Sequence, residues 1–287
     1  MSGRVQVAVA GAARVGEGPV WDTERSALHW VDILAGEVMC SDLSTGVTTT
    51  VTTPTLIGAA VLRRDRGGYL VATAEGFGEI DPDGNFTAHP RLLPDGQRMN
   101  DAKCDPFGRL WSGSTDMEFR AGAGALHVLG TDFHSRVLLS GMALPNGMGW
   151  SPDGRSYYLA DTVAGEICSY HCDLESPSLT DRRLLRSYAT NGTGPDGMCV
   201  DSDGTLWVAV WGRSRVEQLA PDGELLTVLD MPVAQPSSCA FGGAGLDRLF
   251  VTSAREDLEL ADDALDGSVF VVDGLGVTGL EVSAFAG

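Results

Sequence analysis

Apolar and polar residues alternate in short bursts along this chain and do not recur at helical spacing. Val5, Val7 and Val9 alternate with Gln6 and Ala8, the period-two signature of a strand whose faces meet different surroundings. Six further bursts set a large apolar residue in a short run of small or branched ones. They read Leu28-His29-Trp30-Val31-Asp32, Tyr69-Leu70-Val71-Ala72, Leu110-Trp111-Ser112-Gly113, Tyr157-Tyr158-Leu159-Ala160, Leu206-Trp207-Val208-Ala209 and Leu249-Phe250-Val251-Thr252. Apart from the acidic stretch Glu256 to Asp263, no window sustains apolar residues at i, i+3, i+4 and i+7. Short strands are therefore predicted throughout, with the acidic stretch as a solvated loop.

The bursts are a repeat. Aligned on Trp30, Leu70, Trp111, Tyr158, Trp207 and Phe250, they step by 40, 41, 47, 49 and 43 residues, the length of one four-stranded propeller blade. Asp-Gly occurs eight times and supplies the positive φ angles that tight hairpins need. The prediction is an all-β fold, a six-bladed β-propeller with four antiparallel strands per blade, spanning residues 1–287 as one domain. Closing the ring leaves only short strand edges. The Val5–Val9 strand is expected to complete the last blade beside Ser268 to Asp273 and Gly279 to Phe285, so that the two ends of the chain meet.

Composition narrows the function classes. The chain has 287 residues, 43% of them hydrophobic and 21% charged, which excludes disorder. A net charge of -19 repels phosphate backbones and anionic lipid, so neither nucleic acid nor a membrane surface is an expected partner. The run Val5 to Ala13 is short and broken by Gln6, unlike an export segment. Four of the six cysteines sit in apolar runs, consistent with reduced thiols and a cytoplasmic location. A monomer is the default expectation. Cys168, His171 and Cys172 lack a second pair at zinc-site spacing, and on a strand His171 would face away from the two cysteines.

Strand order turns spacing into geometry. The innermost strand of each blade lines the central channel, so residues at equal offsets before the aligned position gather at one end of it. Counting back 11 to 13 residues gives Glu17, Asn100, Asn146 and Asp196, with Gly58 and Ser237 in the second and sixth blades. Each taken alone reads as a turn residue before a strand. Four in register read instead as a hard-oxygen set for one divalent cation, suited to Ca²⁺, Mg²⁺ or Mn²⁺ and admitting Zn²⁺ or Fe²⁺. Glu17, in Gly16-Glu17-Gly18-Pro19, argues most strongly against a turn.

The chain resembles the senescence marker protein-30 (SMP-30)/gluconolactonase family, which includes regucalcin and sugar lactonases. The resemblance covers nearly the whole chain. It rests on Gly16 to Trp21 with Trp30-Val31-Asp32-Ile33, Arg98 to Lys103 with Asp105-Pro106, Leu144-Pro145-Asn146-Gly147, and Pro195-Asp196-Gly197-Met198. It implies a metal held by Glu17, Asn146 and Asp196, with Asn100 also near it. It further implies a sugar lactone contacted by Arg98, Asn100 and Glu118, and Asp196 assisting attack by water while a divalent ion polarises the carbonyl. A metal-dependent esterase or organophosphate hydrolase on the same scaffold is the alternative, and a non-catalytic binding propeller is a third reading. No Gly-x-Ser-x-Gly elbow occurs and no histidine follows position 171, so a serine triad is not expected.

Overall fold

In a computed structural model, which describes residues 3–287, twenty-four strands form six four-stranded antiparallel sheets arranged radially. The fold is a six-bladed β-propeller, and no helix occurs among the described residues. The innermost strands are Gly16–Asp22, Ile57–Leu62, Gln97–Cys104, Pro145–Trp150, Gly194–Val200 and Gln235–Gly242. Each touches the innermost strands of the blades on either side, closing the ring. Arg4–Val9 pairs with Val269–Asp273, placing Val5 opposite Val272 and Val7 opposite Phe270, as its alternation predicted. Seven of the eight Asp-Gly glycines have positive φ; the exception, Gly197, lies inside an innermost strand.

Residues 279–285 depart from expectation, because they add no strand to the last blade. They instead run across the end of the channel at which the innermost strands finish. The Ser202 amide donates to Thr278 O (2.8 Å) and the Gly279 amide to Leu246 O (2.7 Å). On the other side of the ring the Phe285 amide donates to Leu62 O, and the Arg64 amide to Phe285 O, each at 2.8 Å. The Phe285 ring is fully buried in the apolar cluster shared by blades 2 and 3. This strap therefore joins opposite sides of the ring and lines a cavity of about 350 Å³ together with Lys103, Cys199 and Cys239.

All six aligned residues, Trp30, Leu70, Trp111, Tyr158, Trp207 and Phe250, are buried in the apolar layers between blades. Two tryptophans are fastened by a carboxylate from the turn before them. Buried Asp201 accepts the amides of Asp203 (3.0 Å) and Thr205 (2.8 Å) and the Trp207 indole N–H (2.9 Å). Asp105 does the same for Phe107, Arg109 and Trp111. One acid thus closes the turn and fixes the core side chain, because several donors saturate a carboxylate that would be costly to bury bare.

Two outcomes follow for stability. Asp201→Ala orphans the Trp207 indole and the turn amides, and chemical denaturation should register a loss of about 3 kcal/mol. His127, buried beside Ser114 Oγ at 2.9 Å, has its pKa pushed down by burial to about 4. The unfolded chain protonates this histidine near pH 6.5 while the folded chain stays neutral. Stability should therefore fall as pH drops from about 6.5 to 4, by up to about 3 kcal/mol from this group. Denaturation curves of His127→Gln across that range should be correspondingly flatter.

Candidate active site

Every innermost strand breaks register with its neighbour once, near its start. The breaks lie between Glu17 and Val20, Ile57 and Ala59, Met99 and Ala102, Pro145 and Met148, Pro195 and Met198, and Pro236 and Ser238. A bulge opposes two residues to one, bends the strand and re-aims a side chain. Glu17, Asn100, Asn146 and Asp196 sit at these bulges, as do Gly58 and Ser237. Glycine is needed there because the backbones touch: a Cβ on Gly58 would lie 2.6 Å from Asn100 O, and one on Gly147 would lie 2.2 Å from Asp196 O. Small residues at the axis thus let the oxygen-bearing side chains of neighbouring blades meet.

The predicted residues of the innermost strands are brought together and buried. Glu17, Asn100, Asn146 and Asp196 are each 4–5% exposed and Arg98 is 7% exposed. The Asn146 amide nitrogen donates to Asp196 Oδ1 and, at 3.1 Å, to Thr162 Oγ1. Arg98 Nη1 donates to Asn100 Oδ1 (2.6 Å) and Met99 O (3.1 Å), while Asn100 Nδ2 donates to Pro145 O (3.1 Å). Glu17 Oε2 accepts the Gly18 amide at 2.7 Å.

Charge inside the ring is unbalanced. Burial raises the Glu17 carboxyl to about 8, with the Asp101 charge adding to the effect and the Gly18 amide opposing it. Burial also pushes Asp196 well above the ordinary carboxylate range, helped by Glu17 and Asp101. Asp101 is raised by burial and held back by Lys103. Burial lowers Arg98 to about 10, which Glu17 and Asp196 oppose, so it stays cationic at neutral pH. One buried guanidinium therefore faces three buried acids. Asn146 Oδ1 is also buried without a hydrogen-bond partner. An unpartnered amide oxygen among carboxylates held near their neutral form is a donor set that fits a hard divalent cation. Among the described residues no three His, Cys, Asp or Glu side chains converge at ligand spacing, so such a site needs the amides.

Glu118 is not brought to this cluster. It lies on the turn after Leu110–Asp116 with its side chain 79% exposed, 3.8 Å from Arg120 Nε. Asp101 was not singled out from the sequence, because it stands one place beyond the equal offset. The available signal was that blades 1, 4 and 5 carry glycine there, Gly18, Gly147 and Gly197, whereas blade 3 carries an acid.

Fold and site together define a class: a six-bladed propeller that collects acid, amide and guanidinium groups at one mouth of its axis. The profile of the SMP-30/Gluconolactonase/LRE-like region matches residues 15–255, and the chain belongs to that family. It is similar to the 6-deoxy-6-sulfogluconolactonase of Pseudomonas putida, 35% identical over 280 residues and 95% of each chain. It is 31% identical to Xenopus laevis regucalcin over 99% of each chain. Among solved structures, a calcium-binding protein, regucalcin, from Agrobacterium tumefaciens superposes with a TM-score of 0.91 at 28% identity, covering 99% of this chain and 98% of the other.

The glycine requirement is testable. Gly147→Ala forces a Cβ into Asp196 O and should displace the Asn146–Asp196 pair. The variant is expected to remain folded by circular dichroism and to melt a few degrees lower, in line with the roughly 1–3 kcal/mol that overpacking costs.

Proposed function

We propose that this protein is a divalent-cation-dependent hydrolase that opens the ring of a small sugar lactone. The observation that carries the reading is the buried, acid-rich cluster with the unpartnered Asn146 Oδ1. Relatives named sulfogluconolactonase and calcium-binding regucalcin support both the substrate class and the cation. Glu17, Asn146 and Asp196 would hold the ion, with Asn100 beside it. A divalent cation bound there supplies Lewis acidity for the ester carbonyl and stabilises negative charge developing on its oxygen.

The chain's own groups do the rest. Asn146 Nδ2 donates to Asp196 Oδ1, which fixes the orientation of the carboxylate that would both hold the cation and accept a proton from the attacking water. Arg98 stays charged because burial lowers it only to about 10, and it offers N–H groups to substrate hydroxyls. Its bond to Asn100 Oδ1 holds the Asn100 amide in a single orientation. A site that hydrogen-bonds hydroxyls rejects analogues without them, so an aldonolactone suits it better than a plain ester. The buried, hydrogen-bonding cluster suits a small molecule acted on by a single chain.

Glu17→Gln and Asp196→Asn keep shape and remove charge. In calorimetric titration with Ca²⁺, Mn²⁺ and Zn²⁺ both should bind weakly. In pH-stat assays on glucono-δ-lactone both should lose on the order of a hundredfold or more in turnover. Undiminished turnover in both variants would put the chemistry elsewhere. Faster hydrolysis of an aryl ester or a phosphotriester than of any lactone would favour the esterase or organophosphatase reading.

A further inference from the structure

The turn that carries Glu118 also carries Phe119, whose backbone sits in the left-handed region at φ 54°. That conformation costs an aromatic residue of the order of 1 kcal/mol or more and persists only where the surroundings over-determine it. The device is Asp116, itself 2% exposed. Its Oδ1 accepts the amides of Glu118 (3.1 Å) and Arg120 (2.8 Å), and its Oδ2 accepts Arg120 Nε. The Phe119 amide closes the turn onto Asp116 O at 3.1 Å.

The strain buys a placement. The Phe119 ring lies over the Arg98 guanidinium, 5.8 Å from Cζ to the ring centroid. Arg98 is the buried cation of the acid cluster, and Thr115 beside Asp116 pairs with it across the sheet. Phe119 remains 39% exposed, so the ring is not simply core. Part of it covers the guanidinium and part remains exposed. An aromatic surface beside a hydrogen-bonding cation is the combination that holds a sugar-like ring, with its C–H face on the aromatic and its hydroxyls on the cation.

We propose that Phe119 is a specificity-determining residue: its ring is the wall against which the C–H face of a six-membered lactone stacks while Arg98 binds that lactone's hydroxyls. This rests on the lactonase reading for its substrate class, and on the turn geometry and the Arg98 contact for its place. A role in specificity predicts a larger effect on substrate binding than on the chemical step, and a larger effect on cyclic than on open-chain substrates.

The test uses the intact protein with Phe119→Ala, Phe119→Tyr and Phe119→Gly. Glucono-δ-lactone and the open-chain methyl gluconate are the hydrolysis substrates, and gluconolactam is a non-hydrolysed ligand for calorimetry. Phe119→Ala should raise both KM for the lactone and Kd for the lactam about five- to tenfold, with kcat and methyl gluconate turnover changed less than about twofold. Phe119→Tyr, which keeps the ring, should restore wild-type values. Phe119→Gly should bind as poorly as Phe119→Ala yet melt about 2 °C higher, because glycine adopts the left-handed turn without strain. Lactone KM and lactam Kd that do not depend on residue 119, or binding that Phe119→Tyr fails to restore, would overturn the proposal. Ring-dependent lactam binding without hydrolysis of any lactone would overturn the proposed function and leave Phe119 in its role.

Discussion

Six strands can share one axis only if their backbones come into contact there, and that close approach is the constraint on which the rest of this molecule depends. The glycines at the bulges permit it, since a Cβ at Gly58, Gly147 or Gly197 would fall within 2.6 Å of an atom in the next blade. The same contact forces acidic and amide side chains from distant parts of the chain into one small volume. Glu17 and Asp196 are far apart in sequence and feel each other's charge in the folded ring. The geometry that makes the core compact thus also makes the site electrically uncomfortable, which is the condition that favours a bound cation over empty space.

Much of this was legible from spacing alone, for a physical reason. Each blade keeps a near-constant length from its bulge to the buried aromatic of the second strand, so counting back from Trp30, Trp111, Tyr158 and Trp207 reached Glu17, Asn100, Asn146 and Asp196. The count depended on the repeat and failed where the repeat stops. Asp101 escaped because a bulge offers two residues where a regular strand offers one. Leu280 and Val282 alternate with Glu281 and Ser283 as a strand would, yet that segment pairs with no blade, and alternation cannot report a missing partner. The strained turn at Phe119 left no trace in composition, since glycine or asparagine would have been the readable choice there.

Rigidity and variability are divided between two parts of the architecture. The inner strands, fixed by backbone contact and by the Asp105 and Asp201 fasteners, hold Glu17, Arg98, Asn100, Asn146 and Asp196 together at the axis. The turn built on Asp116, between the second and third strands of its blade, carries Glu118 and Phe119 away from those strands. An architecture built this way can vary its turns while leaving the axis untouched.

The pairing of Arg4–Val9 with Val269–Asp273 has a temporal side. The two strands lie roughly 260 residues apart. At ribosomal speeds of about 5–20 residues per second, the earlier strand waits some tens of seconds with an open hydrogen-bonding edge. Closure of the circle is thus a late event, and the nascent chain spends most of its synthesis as an incomplete arc whose exposed edge is where a chaperone would be most useful.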